Sequence, residues 1–167
     1  MSHITARGHV DAFLVSPDGH AEQVVRGANT LLFNCADAVA GIFGGLSGYR
    51  PAVIGFVYGN DKDLAANFNF SVGDRTAKTQ AELVGTGLHV HDQYIDQNRH
   101  FEASAPGYSG NVVSFSAAKP GTDAMSYVYG ALLKDPSGRV LAVKRFDEPV
   151  VQNKSYALSV SWSVTFI

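Results

Sequence analysis

The residues best placed to do chemistry are His89 and His91, with Asp92 next to them and His100 nearby. Two histidines separated by one residue project from the same face of a strand, which is what a metal ion shared between two imidazoles requires. No second cluster with firm ligand spacing accompanies them, so the pair reads as solvent-facing or subunit-contact histidines, and neither a metal nor a cofactor is expected. Asn60-Asp61-Lys62-Asp63 has the acidic opening of a calcium loop. A loop starting at Asp61 would need glycine midway and glutamate at its close, where Ala66 and Val72 stand, so the stretch reads as a polar turn. Gly85-Thr86-Gly87 lacks the third glycine and the following helix of a phosphate cradle. No serine follows the nucleophile-elbow pattern. Carboxylates such as Asp123, Asp135 and Glu148 are scattered over turn-forming stretches, where aspartate bonds to its own backbone. Cys35, the single cysteine, excludes an internal disulfide and a cysteine-based zinc site, and reads as a small buried hydrophobe. The expectation is a protein that is not an enzyme.

Aromatic residues point elsewhere. Phe68, Phe70, Phe101 and Tyr108 fall in two weakly periodic stretches, 60–75 and 98–110, and Tyr94 lies beside the second. Loops beyond ~12–15 residues in a compact domain are usually functional or disordered, and a disordered linker tends to lack aromatics. These five residues are therefore the candidate protein-interface positions, expected to order against neighbouring subunits.

The elements that must carry them are mostly strands. From Tyr156 to Phe166, Tyr156, Leu158, Val160, Trp162, Val164 and Phe166 alternate with small or hydroxylic residues, the period of a strand with one greasy face. It is expected to be a central strand, with Trp162 as the largest anchor of the core. Residues 8–15 and 22–26 form a hairpin about Ser16-Pro17-Asp18-Gly19, in which proline presets φ and glycine takes the positive φ. Asn29 and Thr30 offer an N-cap for an amphipathic helix whose Leu31, Leu32, Cys35, Val39, Ile42 and Phe43 recur at helical steps until Gly44-Gly45. Residues 52–58 and 112–117 read as strands, 88–95 as extended, and 76–84 as either a strand or a helical turn. Residues 125–133 and 139–146 form a second hairpin about Lys134-Asp135-Pro136-Ser137-Gly138, and Glu148-Pro149 is expected to end it. The sum is one all-β domain spanning residues 1–167, an antiparallel, jelly-roll-like sandwich with one short amphipathic helix near the N-terminus.

Composition narrows the partners. Of 167 residues, 46% are hydrophobic and 17% charged, less than the usual quarter, which suits a surface covered by other copies or other chains. A net charge of -2 without a basic cluster argues against direct nucleic-acid binding. No apolar run approaches the ~20 residues of a membrane helix. Met1-Ser2-His3-Ile4 has neither a basic start nor an apolar run, so synthesis in a cytoplasm without export is expected.

The C-terminal pattern carries a resemblance. Val128-Tyr129-Gly130-Ala131-Leu132-Leu133 precedes a turn and then Arg139-Val140-Leu141-Ala142-Val143-Lys144-Arg145-Phe146. Pro149 and Lys154 follow, before the closing Ser161-Trp162-Ser163-Val164-Thr165-Phe166. This resembles the C-terminal pattern of small structural proteins of tailed bacteriophages, and the N-terminal hairpin and helix are similar too, together covering about half of the chain. Val128-Tyr129-Gly130 departs from the acidic "ser-glu-x-gly" form common in that family. The resemblance implies a virion component, assembled in the host bacterial cytoplasm, that binds capsid or tail subunits and brings no catalytic residues. A capsid decoration or cement protein comes first, with a tail, baseplate or fibre-attachment protein as the alternative. A carbohydrate-binding β-sandwich module would instead need exposed coplanar aromatics. A cupin-type metal enzyme would need the histidine pair joined by a glutamate and a distant histidine.

Overall fold

The computed structural model describes residues 5–95, 108–109 and 112–166. Its elements are β1 (Ala6–Val15), β2 (Ala21–Leu31), α1 (Phe33–Phe43), β3 (Val53–Gly59), α2 (Gln80–Leu83), β4 (His89–Tyr94), β5 (Tyr108–Ser109), β6 (Val112–Lys119), β7 (Ser126–Lys134), β8 (Val140–Gln152) and β9 (Ala157–Phe166). Both expected hairpins form, and Gly19 and Gly138 each take φ 88° in their turns, a conformation that costs other residues strain.

The strands join into one antiparallel sheet in the order β4-β3-β7-β8-β2-β1-β9-β6-β5. Where two stacked sheets were expected, a single sheet curls into a nearly closed barrel. The link is β2, which pairs with β1 along most of its length and then passes Thr30 and Leu31 to Val143 and Ala142 of β8. β5 pairs only with the first residues of β6, and the edge strand β4 comes close to β6 without a ladder between them among the described residues, leaving one seam. Curling buries one apolar face as a sandwich would, and also shields edges that would otherwise offer unpaired backbone.

β9 lies between β1 and β6, and its alternation fills the interior. Val10, Trp162 and Phe115 sit opposite one another in adjacent strands, as do Ala12, Val160 and Ala117. Trp162, Val160 and Leu158 are fully buried together with Ile54 and Phe56 of β3.

A second core lies on the other face of β3, β7 and β8. Val57, Tyr129, Leu132 and Val143 are covered by Phe68, Phe70, Leu83 and Leu88 from the segment between β3 and β4. Strands covered on both faces lose the polar alternation, which is why β3 and β7 read as continuous apolar runs. Polar clamps hold the cover down. The Tyr129 hydroxyl donates to the Asp61 carbonyl and accepts from the Leu64 N–H at 3.0 Å. The Arg145 guanidinium donates to the carbonyls of Ala65, Phe68 and Phe70. The ambiguous stretch resolves as α2, with Thr79 and Glu82 capping each other's backbone.

Two boundaries differ from expectation. β8 does not end at Glu148-Pro149: the register with β7 jumps from Val150 to Arg145, and residues 146–149 bulge out, which accommodates a proline without a ladder bond. β2 continues through Asn29 and Thr30, so α1 begins behind the extended Leu32 with no side-chain cap.

Candidate functional site

Helix α1 carries few polar groups: between Phe33 and Phe43 the polar side chains are Asn34, Cys35 and Asp37. More than one face could therefore pack against the barrel. The face that does is the small one, Asn34, Ala38 and Gly41. Asn34 is buried and its Nδ2 donates to the Val140 carbonyl at 2.9 Å, at the start of β8. Gly41 lies flat on Tyr49, where an added Cβ would come within 2.5 Å of the ring. Tyr49 is in turn held beneath the Arg139 guanidinium, 4.4 Å from its ring centre, and Arg139 Nε donates to Asp135 at 2.9 Å.

Docking on small residues brings the helix close and turns its bulk outward. Phe33 is 55% exposed, Ile42 49%, Phe43 87%, and Leu46, just past the helix, 53%. At the start of the helix, Arg75 lies 5.7 Å from the Phe33 ring, its own Nε donating to the Leu31 carbonyl at 2.9 Å. Asp37 is the one charged residue on the helix. Large exposed apolar side chains close together, as Ile42, Phe43 and Leu46 are in sequence, mark contact surfaces rather than catalytic ones. Burial pushes the Cys35 thiol up, against the opposing charge of Arg75.

The histidine pair takes a different position. His89 and His91 face the barrel side of β4, opposite Tyr58 and Phe56. His89 packs against the Tyr58 ring at 5.6 Å, and His91 lines a cavity at the seam. Among the described residues no three His, Cys, Asp or Glu side chains are grouped to hold a metal, and His100 lies outside them.

Of the expected interface aromatics, Phe68 and Phe70 must be corrected. They are 1% and 8% exposed, because the segment carrying them folds back as the cover of the second core. Tyr94 is 78% exposed on the edge strand β4. Phe101 lies outside the described residues, and Tyr108 is described only as backbone in β5. Trp162 is fully buried, so it offers no stacking platform to a sugar. The exposed face of α1 was not singled out in the sequence, although a helix apolar nearly all round is one that tertiary or partner contacts must cover.

No protein-family model matches the chain, and neither does any curated protein or solved structure. Among the described residues no helix is long and apolar enough to cross a membrane.

Proposed function

We propose that this protein is a non-enzymatic structural component of a tailed-bacteriophage virion, attached to other virion proteins through the outer face of α1. The capsid shell is the first location, as decoration or cement, and the tail, baseplate or fibre attachment the second. The observation that carries this reading is that α1 docks by its small side chains and leaves Phe33, Ile42, Phe43 and Leu46 in solvent. Burying Phe43 fully against a partner is worth about 1.5–3 kcal/mol, and Phe33, Ile42 and Leu46, already half covered, about half as much each. The helix is anchored by Asn34 and by the Gly41–Tyr49–Arg139 stack, so little ordering entropy opposes the contact. The C-terminal hairpin and closing strand, which resemble those of small phage structural proteins, supply the biological setting. A low content of charge fits copies lying side by side on a particle.

The test replaces Ile42 and Phe43 together with serine. Surface changes of this kind should leave stability within about 0.5 kcal/mol, checked by thermal melting. Occupancy on particles lacking the native chain should fall at least about tenfold. Occupancy equal to wild type would remove α1 as the attachment face. Absence of the chain from purified virions by mass spectrometry would remove the virion reading itself.

A further inference from the structure

At the barrel end opposite α1, where β6 and β8 finish, a cavity of about 170 Å³ opens at the seam between β4 and β6. Lys119 reaches into it. In β6 it follows Phe115 and Ala117 on the inward face and lies opposite Leu158 of β9, a place where an apolar side chain would be expected. It is 3% exposed. Its Nζ donates to Gln152 Oε1 at 2.7 Å and lies 4.8 Å from the centre of the Tyr58 ring. Gln152 has no freedom to turn away, because its Nε2 donates to the Lys119 carbonyl at 3.1 Å and the Tyr156 carbonyl at 2.8 Å.

Among the described residues no carboxylate pairs with Lys119, whereas Lys134 and Arg139 each have one. An ammonium carries three donor hydrogens, and Gln152 accepts one of them. Two more buried polar atoms at the cavity have no hydrogen-bond partner among the described residues, Ser126 Oγ and His91 Nε2. Ser126 is 5% exposed. Buried cations and donors left in this way are costly unless something completes them. Each of the three can donate, His91 in the tautomer that keeps its proton on Nε2, and among the described residues no carboxylate side chain lines the cavity. The matching shape is small, negative and rich in acceptors.

We propose that Lys119, His91 and Ser126 form a binding site for a small oxyanion, a free carboxylate or phosphate. The ammonium supplies the charge, Ser126 and His91 orient the oxygens, and Gln152 with the Tyr58 ring fixes the ammonium from behind. Met125 and Thr122 also line the cavity. Burial alone pulls the Lys119 ammonium below the ordinary lysine range, and a bound anion opposes that shift.

The full chain is titrated with acetate and, separately, inorganic phosphate at constant ionic strength, followed by calorimetry and by the NMR shifts of the His91 ring. The expected result is saturable binding of one or both anions, one per chain, with the His91 resonances moving along the same isotherm. Lys119→Met keeps the length of the side chain and should weaken binding at least about tenfold, and Ser126→Ala about threefold, both by loss of hydrogen bonds to the anion. Should the lysine variant fail to fold, the serine variant decides alone. No saturable response to either anion, or wild-type affinity in the folded variants, would overturn the site and leave the cavity to bridging waters.

Discussion

Asp135 is 1% exposed, yet it accepts four hydrogen bonds: from the Ser137 N–H and hydroxyl at 2.9 and 2.6 Å, and from the Arg139 N–H and Nε at 3.0 and 2.9 Å. Burial pushes this carboxyl up, but the bonds from Ser137 and Arg139 outweigh it and hold the pKa below the ordinary carboxylate value. A folded-state pKa lower than the unfolded one means stabilisation that is complete above the ordinary range. It is lost as pH falls through that range toward the folded value. Asp135→Asn should therefore cost about 1.5–3 kcal/mol at neutral pH. The gap to wild type should close as pH drops below about 4, measured by urea unfolding at several pH values. A gap that does not change with pH would show that the turn uses the shape of the side chain and not its charge. The turn role of Asp135 is legible from its neighbours in sequence. Its second role, holding Arg139 over Tyr49 and so beneath α1, depends on residues nearly a hundred positions away. Lys119 is the opposite case: it continues the inward alternation of Phe115 and Ala117, a signal present in the sequence but easily passed over in a strand of small residues.

At the scale of elements, β9 is the most clearly written part of the chain, because a strand with one buried face leaves its period in the sequence. Its Trp162 is fully buried between Val10 and Phe115 on the neighbouring strands. Trp162→Ala should cost about 3–5 kcal/mol through the cavity it leaves. A melting temperature unchanged within error would mean that β9 presents its other face to the interior. Helix α1 is less legible. Its apolar residues recur at helical spacing on more than one face, and only the close approach permitted by Ala38 and Gly41 selects the docked one. β8 shows how a local breaker can be overruled: Pro149 is absorbed in a bulge because pairing with β7 resumes at Val150.

The whole molecule is a sheet with a core on each side, and Tyr129, Leu132 and Val143 of the outer core share strands with Ala131, Leu133 and Ala142 of the inner one. The two cores should therefore unfold together. Phe68→Ala, which removes a 1% exposed ring from the outer core, should cost about 3–5 kcal/mol. It should lower the melting point seen by the fluorescence of Trp162, the chain's single tryptophan, as much as that seen by far-ultraviolet dichroism. If the tryptophan signal kept its wild-type midpoint while dichroism shifted, the cover would be a separate folding unit on an independent barrel.

The sequence by itself determined the strands of the two hairpins, β3, β6 and β9, the two hairpin turns and the existence of α1, since these rest on alternation, apolar runs, helical spacing and turn residues acting within a few positions; β5, in a stretch read as irregular, it did not. It also placed Trp162 in the core. Tertiary structure alone decided that the strands curl into one sheet, because which edge meets which depends on pairings such as Leu31 with Ala142, distant in the chain. It decided that Phe68 and Phe70 turn inward, since a weakly periodic segment carries no mark of the surface that will receive it. And it decided that Phe43 faces out and Lys119 faces in, because side-chain direction is set by what the neighbouring elements leave room for.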